Sequence, residues 1–293
     1  MQKIVPHLWF DKEAIEAAEF YTSVFDDSAV TFTSHIHNTP SGDVDIVGFK
    51  IMGFEFMAIS AGPFFKLNPS ISFTISCRSA KEVDELWEKL SLDGKILMEL
   101  GEYPFSPRYG WIQDKYGVSW QIIFFNEIRL EQKIIPHLMF TKDLCGKAEE
   151  AMNFYVSIFP NSNVEEIFRY QNQTPDKDGT VAHAFFELGE QKFGAMDSAQ
   201  SHEFKFNEAI AFIVNCKNQK EIDYFWEKLS AVPESEQCGW IKDKYGVSWQ
   251  ILPENMNELM SKNPEKTTPA MLKMKKIDIE DLRKAGEEYE TED

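Results

Sequence analysis

The chain has 293 residues, enough for about two ordinary domains, and 43% of them are hydrophobic, which supplies a sizeable core and argues against global disorder. Its net charge of −18 would repel phosphate backbones and anionic lipids, so neither nucleic acid nor a membrane is expected as a partner. The first residues lack the basic start and apolar core of a secretory signal, and no apolar run reaches the ~18 residues of a membrane span.

Cysteine usage points to a reducing compartment. The four cysteines are dispersed and form no CxxC pair; they are Cys77, Cys145, Cys216 and Cys238. This pattern favours free thiols over a disulfide framework. We therefore expect a cytoplasmic protein.

The chain opens with an apolar strand, IVPHLWF, at residues 4–10. Apolar residues then recur at helical spacing from Ala14 to Phe25, followed by the β-type runs VGFKIMG, FEFMAIS and ISFTISC. A second amphipathic helix follows, with Val83, Leu86 and Leu90 on one face. This order predicts a βαβββ module and the start of another.

The stretch DKYGVSWQI at residues 114–122 has the turn residues of a β-hairpin. Because side chains alternate along a strand, Trp120 should face the helices while Ser119 and Gln121 face the opposite side. The same alternation on the first strand puts His7 and Trp9 on one face. A histidine of the first strand and a glutamine of the last are therefore expected to share a concavity.

The whole arrangement then repeats. IIPHLMF at 134–140 parallels the first strand, FKFNEAIAFIVNC at 204–216 parallels FKLNPSISFTISC at 65–77, and DKYGVSWQI returns letter for letter at 243–251. The repeating unit of about 125 residues far exceeds a solenoid repeat. We predict one domain at residues 1–130, a second at 131–255 and a helical tail at 256–293.

Two segments break the repeat. The first unit carries the extra stretch LDGKILMELGEYPFSPRYGW, which either covers a pocket mouth, with Arg108 meeting an anionic group, or forms a longer edge strand. In the tail, Met271, Met274, Ile277 and Leu282 can dock on a neighbouring surface, and Asp278 can cap a final helix. The tail could brace the two domains or a second chain, which leaves a homodimer open.

The motifs IxPHLWF, FYxxxF, FKFNEAIAF and CGWIKDKYGVSWQI resemble the PhnB-like branch of the vicinal oxygen chelate (glyoxalase/bleomycin-resistance) superfamily, in a subgroup labelled 3-demethylubiquinone-9 3-methyltransferase-like. The resemblance covers residues 3–125 and 133–255. It implies an α+β fold of tandem glyoxalase-like domains, each built of two βαβββ modules that form a curved mixed sheet around a pocket. Methyltransferase activity is not expected, because the sequence has no GxGxG-like loop and its strand order does not suit a doubly wound sheet.

The resemblance also implies a candidate metal site. Metal enzymes of this superfamily hold a divalent ion with histidine and glutamate and chelate vicinal oxygens of a substrate. The matching positions are His7 and His137 on the first strands and Gln121 and Gln250 on the last strands. Neutral glutamine is a weak ligand, but in the second repeat His137, Asp197 and Gln250 remain as a candidate set. A divalent metal is therefore an open possibility, and no cofactor is certain.

Two function classes follow. The first is the binding of a small organic molecule in a concave pocket with a degenerate metal site. The alternative is a metal-dependent lyase, isomerase or dioxygenase, so whether the chain is an enzyme stays open. The candidate pocket residues are His7, Trp9, Arg108, Trp111, Gln121, His137, His183 (at the position we align with Val47), Trp240 and Gln250.

Overall fold

A computed structural model describes residues 2–39, 42–125, 132–172 and 174–287. The first repeat contains, in order, β1 (Ile4–Phe10), α1 (Ala14–Val24), β2 (Ala29–Thr39), β3 (Gly42–Ile51), β4 (Phe54–Ser60), β5 (Ile71–Cys77), α2 (Ala80–Leu90), β6 (Lys95–Tyr103), β7 (Ser106–Gln113) and β8 (Ser119–Phe124). The second contains β9 (Ile134–Thr141), α3 (Ala148–Ile158), β10 (Asn163–Arg169), β11 (Val181–Leu188), β12 (Gln191–Ser198), β13 (Ile210–Cys216), α4 (Gln219–Leu229), β14 (Trp240–Lys242) and β15 (Ser248–Pro253). The tail forms α5 (Met256–Lys262), α6 (Pro264–Leu272) and α7 (Ile279–Glu287).

The strands form two mixed sheets. The first sheet has the order β14-β15-β13-β1-β4-β3-β2, and the second has the order β10-β11-β12-β9-β5-β8-β7-β6. Each contains both parallel and antiparallel pairs. The second sheet is built from two βαβββ modules, whereas the first combines one βαβββ module with the shorter module β13-α4-β14-β15. The predicted α+β fold with curved mixed sheets is therefore confirmed. No helix in the described ranges is long and apolar enough to cross a bilayer.

The two modules that share a sheet come from different repeats. Strand β1 pairs antiparallel with β13 of the second repeat, and β5 of the first repeat pairs antiparallel with β9. We expected each repeat to close its own sheet, and that expectation is wrong. The modules carry nearly the same apolar alternation, so the sequence pattern fits pairing within a repeat and pairing across repeats equally well.

Within one repeat the two modules pack against each other through their helix-bearing faces. The Phe56 ring of the first sheet lies 5.1 Å from Phe73 of the second, and the Tyr21 ring on α1 lies 5.4 Å from Trp120. Loops of the two repeats are also linked by two equivalent hydrogen bonds. The Asn68 side chain donates to the Lys205 carbonyl, and the Asn207 side chain donates to the Lys66 carbonyl. The core thus joins modules within a repeat, whereas the sheets join modules between repeats.

The extra stretch of the first repeat forms β6 and most of β7. Strand β6 lies at the edge of the second sheet and pairs antiparallel with β7. Of the two alternatives for this stretch, the longer edge strand is the one the structure contains.

The repeated DKYGVSWQI stretch is built around a buried aspartate. In the second repeat the Oδ1 atom of Asp243 accepts the backbone N–H groups of Tyr245 and Val247, at 2.8 and 3.1 Å. Its Oδ2 atom accepts the Tyr155 hydroxyl at 2.8 Å and the Trp249 indole N–H at 2.9 Å. The aspartate fixes the turn, the last strand and helix α3 at one point.

The first repeat repeats this arrangement around Asp114. Its carboxylate accepts the Tyr21 hydroxyl and the Trp120 indole N–H, both at 2.7 Å, together with the backbone N–H groups of Tyr116 and Val118. Both aspartates are almost fully buried. In each copy the first, third, fifth and seventh residues of the stretch thus meet in one hydrogen-bonded cluster.

Asp243→Asn should lower stability in a pH-dependent way. Burial raises the pKa of Asp243 to about 6, although its four hydrogen bonds act in the opposite direction. The folded state therefore binds more protons than the unfolded state between about pH 4 and 6, and stability falls as the pH rises through that interval. The free energy of unfolding of the wild type, measured by urea denaturation, should exceed that of the variant. This difference should shrink by on the order of 1–3 kcal/mol from pH 4 to 7.

The exposed Asp26→Asn variant is the matched control and should show no such change. If the difference in free energy of unfolding between the wild type and Asp243→Asn stays constant or grows with pH, the pKa of Asp243 is not raised.

Candidate functional site

Each sheet has one face that carries helices and one that points away from α1–α4. On β1 the core side chains Leu8 and Phe10 alternate with His7 and Trp9. On β9 the same alternation separates Leu138 from His137. We call the face of the first sheet that is turned away from α1–α4 the His7 face, and the corresponding face of the second sheet the His137 face.

On the His7 face the histidine meets Gln250 of the other repeat. His7 Nδ1 lies 2.9 Å from Gln250 Oε1, and the Trp240 ring stacks on the imidazole at 5.1 Å. Burial lowers the pKa of His7 to about 4, so the ring is neutral at pH 7. With the glutamine oxygen accepting the Nδ1 proton, His7 Nε2 carries a lone pair. The structure thus joins His7 with Gln250 rather than with Gln121.

Trp9 and Trp240 form an aromatic wall beside His7. The Trp9 indole N–H donates to the Gly62 carbonyl at 2.8 Å, and its ring meets Phe65 edge-on at 5.0 Å. Trp9 and Trp240 lie 6.3 Å apart. These side chains cover His7, which is only 2% exposed.

On the His137 face the imidazole lies over a glycine. A Cβ atom at Gly194 would stand 2.3 Å from His137 Cε1, so only glycine leaves room for the ring in this position. His183 lies 4.9 Å from the same ring, and Thr74 Oγ1 lies 3.3 Å from His137 Nδ1. Burial, followed by the neighbouring His183, lowers the pKa of His137 well below its usual value. Burial also lowers the pKa of His183 to about 4.

Gln121 is the centre of a polar network on the same face. Its amide N–H donates to Ser72 Oγ at 2.8 Å, and its oxygen accepts the Tyr109 hydroxyl at 2.9 Å. The indole N–H of Trp111 donates to Ser119 Oγ at 2.8 Å. In the β-ladder Ser72 is the register partner of His137, so the network adjoins the histidine.

Ser72, Thr74 and Tyr109 were missed as site residues by sequence reasoning. The polar residues of ISFTISC alternate with apolar ones, and the equivalent positions of IAFIVNC hold Ala211 and Ile213. That contrast was the available signal. It shows that the hydroxyl groups at these two strand positions are present on the His137 face and absent from the His7 face.

Unpartnered polar atoms mark both faces. Among the described residues, the buried side-chain polar atoms without a hydrogen-bond partner are His7 Nε2, Ser248 Oγ, His137 Nε2 and Ser76 Oγ. By strand alternation the first two atoms lie on the His7 face and the last two on the His137 face. Buried polar atoms normally have partners, so these four atoms are exceptions among the described residues.

Arg108 does not line either face. It alternates with Tyr109 on β7 and points to the helix side, where its Nε donates to Asp84 Oδ1 on α2 at 2.6 Å. The expectation that Arg108 meets an anionic ligand is therefore wrong. Strand parity is the physical reason, because Tyr109 occupies the position that faces the site.

Asp197 is a helix cap rather than a metal ligand. On β12 it shares a face with the core residue Ala195, opposite to Gly194 and therefore opposite to His137. Its carboxylate accepts the backbone N–H groups of Gly146, Ala148 and Val181 at 2.7, 3.1 and 3.0 Å. It thus satisfies free N–H groups at the start of α3.

The candidate metal set is not assembled. His137 belongs to the second sheet, Gln250 belongs to the first, and Asp197 points to the other face of its strand. In the part of the chain that the structure describes, no three His, Cys, Asp or Glu side chains are placed to hold an ion. The prediction of His137, Asp197 and Gln250 as ligands is wrong, and the residues present do not fit a divalent cation.

His183 corresponds to Ile46 rather than to Val47. Ala184 pairs with Ala195 four residues before the last pair of the β11–β12 hairpin, Leu188 with Gln191. Val47 pairs with Ala58 at the same distance from the last pair of the β3–β4 hairpin, Ile51 with Phe54. The sequence alignment was shifted by one residue, which moves a side chain to the opposite face. His183 accordingly lies on the His137 face.

Comparison with known proteins places the chain in a family. A family model described as 3-demethylubiquinone-9 3-methyltransferase matches residues 2–123 and again residues 132–252. The chain belongs to this family. The two matches confirm both the predicted family and the duplication. No curated protein matches the chain.

Two solved structures are similar to this chain. A putative 3-demethylubiquinone-9 3-methyltransferase, PhnB protein, from Bacillus cereus is 40% identical over 42% of this chain and 100% of its own, with a TM-score of 0.40. Glyoxalase I from Zea mays is 12% identical over 87% of this chain and 95% of its own, with a TM-score of 0.54. The second likeness shows that the tandem arrangement has a glyoxalase-like fold.

Gly194→Ala should displace His137 without unfolding the chain. The new methyl group would overlap the imidazole, and the ring is the part that can turn away. We expect altered NMR shifts for the ring protons of His137 and His183, unchanged shifts for His7, and a loss of stability of about 1–3 kcal/mol. Gly101→Ala is the control, because its methyl group would meet only the Tyr103 ring at 3.8 Å. Unchanged His137 shifts would contradict the placement.

Divalent metals should not bind tightly. Protein purified without chelator should contain no stoichiometric Zn, Ni, Mn or Fe in elemental analysis. A site with metal at 100 times its Kd would add about 2.7 kcal/mol of stability, so added metal or EDTA should leave the melting temperature unchanged. Stoichiometric metal that disappears in His137→Ala would overturn this conclusion.

Proposed function

We propose that the chain binds a small, uncharged organic molecule on the His137 face. The observation that carries the proposal is the buried Nε2 atom of His137, which has no partner within the protein. Leaving such an atom unpaired costs about 1–3 kcal/mol. The neighbouring side chains of His183 and Gln121 are half-buried and remain accessible to a ligand. A molecule that reaches past His183 to Nε2 would supply the missing hydrogen bond.

The polar groups of this face favour a neutral ligand. His137 and His183 are both neutral at pH 7 because burial lowers their pKa values. The remaining contacts are the carboxamide of Gln121 and the hydroxyl groups of Ser72 and Tyr109. A charged molecule placed among these groups would lose its hydration without gaining an opposite charge.

Aromatic rings beside the histidines favour a ligand with a ring or another flat apolar part. Phe185 meets His183 edge-on at 4.6 Å, and Phe168 lies 6.5 Å from His183. Phe168 is 53% exposed, which is unusual for a phenylalanine side chain. At the other end Phe105 packs on Tyr109 at 5.1 Å and is 55% exposed. Apolar rims around a polar centre are typical of small-molecule sites.

Other chemistries have less support. Metal-dependent lyase, isomerase or dioxygenase activity would need the ligand set that the two sheets keep apart. Methyl transfer, which the family's description names, would usually need a glycine-rich donor loop beside a parallel sheet, and the sequence contains no GxGxG motif. We therefore propose binding without a bound metal as the function of the His137 face.

Substitution of the two equivalent glutamines separates the two faces. Gln121→Leu removes the centre of the polar network and should abolish binding, whereas Gln250→Leu affects only the His7 face and should retain it. Binding is measured as the thermal shift produced by benzyl alcohol and phenol, with benzoate as the charged control, and by native mass spectrometry for copurified compounds. Each variant is first checked for cooperative unfolding.

Two results would refute the proposal. One is equal loss of binding in both glutamine variants, which would place the ligand elsewhere or make the effect a general one. The other is a preference for benzoate over the neutral alcohols.

A further inference from the structure

The tail packs on the His7 face. Val5, Ile213 and Leu252 of that face form one apolar cluster with Ile277 and Leu282 of the tail. Both tail residues are fully buried. The tail therefore covers one end of the face, next to the residues that hold His7 and Gln250.

The tail also takes the position that an edge strand has in the other sheet. Beyond β14, Cys238 N–H donates to the Met274 carbonyl at 2.9 Å and Gly239 N–H donates to the Lys275 carbonyl at 2.7 Å. Cys238 corresponds in sequence to Tyr109, which pairs with β6 in the second sheet. The tail thus substitutes for β6 and adds helices that reach over the face.

The contact between tail and face is rich in methionine. The chain has 11 methionines, and five of them meet in this cluster: Met57, Met256, Met260, Met271 and Met274. All five side chains are half-buried, so small solutes in water can reach them. Met57 is the register partner of His7 on the neighbouring strand, so the cluster extends to the histidine.

We propose that this methionine cluster is an oxidation site that controls whether the tail covers the His7 face. A thioether sulfur attacks the outer oxygen of a hydroperoxide, the O–O bond breaks, and the peroxide leaves as water or an alcohol. The sulfur loses two electrons and becomes a sulfoxide, while the peroxide is reduced. No other reactant is needed, and the product is a polar side chain in place of an apolar one.

Sulfoxide formation would weaken tail docking selectively. The polar S–O group would lie against Val5, Ile277 and Leu282, which offer it no side-chain donor, and burial without a partner is unfavourable. Release of the tail would uncover Val5, Ile213 and Leu252, which lie beside His7 and Gln250 on the same face. The device acts on the His7 face and is independent of ligand binding at the His137 face.

The test treats the full chain with hydrogen peroxide and follows three observables. Peptide mass spectrometry locates sulfoxides, hydrogen exchange reports on α7 and β15, and the fluorescence of 8-anilinonaphthalene-1-sulfonate reports exposed apolar surface. We expect sulfoxides at Met271 and Met274, exchange of α7 faster by at least about tenfold, and increased dye fluorescence. The strands around His137 should keep their exchange rates.

A non-oxidisable variant provides the control. Replacing Met57, Met256, Met260, Met271 and Met274 by leucine keeps apolar volume and should preserve docking but abolish the response to peroxide. The double variant Met271→Gln with Met274→Gln places polar groups at two of the same positions and should release the tail without peroxide. Tail sulfoxides without faster exchange, absence of tail sulfoxides when a free methionine peptide is oxidised, or a full response in the leucine variant would each overturn the proposal.

Discussion

The buried aspartate of the DKYGVSWQI hairpin is the contact on which both sheets depend. Asp114 lies in a hairpin of the second sheet, yet it accepts the hydroxyl of Tyr21 on α1, whose ring stacks at 6.1 Å on Phe49 of the first sheet. One carboxylate therefore joins the two layers. Because it also accepts the Trp120 indole, it fixes which side chains of β8 face the core. Because neighbouring side chains on a strand point to opposite faces, Gln121 then lies on the His137 face.

The two faces have diverged although their last strands, β8 and β15, both begin with SWQI. Gln121 pairs in register with Thr74, whereas Gln250 pairs with Ile213. The His137 face thus has the Thr74 hydroxyl where the other face has Ile213, whose side chain meets the tail. The histidines respond to their neighbours as well, since His137 lies over Gly194 while His7 has Met57 at the equivalent position and turns to Gln250. The specialisation comes from adjoining strands and leaves the duplicated hairpin unchanged.

Strand parity accounts for most of what the sequence predicted and for much of what it missed. It correctly separated His7 from Leu8 and Gln121 from Trp120, because alternation follows from the geometry of any strand. It failed for His183, where a turn of different composition shifted the alignment by one residue. Pairing between repeats could not be predicted, since it depends on the packing of modules with nearly the same pattern. The roles of Asp197 and Arg108 depended on contacts with helix ends and faces that no local motif records.

Pairing across repeats also explains why the two faces could become different within one chain. Each face uses one module of each repeat, so a change in the second module of the first repeat, such as Ser72 or Tyr109, alters only the His137 face. The tail follows β15 directly, and β15 belongs to the first sheet. Chain connectivity therefore brings the tail to the first sheet, where it docks on the His7 face. A duplicated chain with a single tail cannot keep its two faces equivalent once that tail docks on one of them.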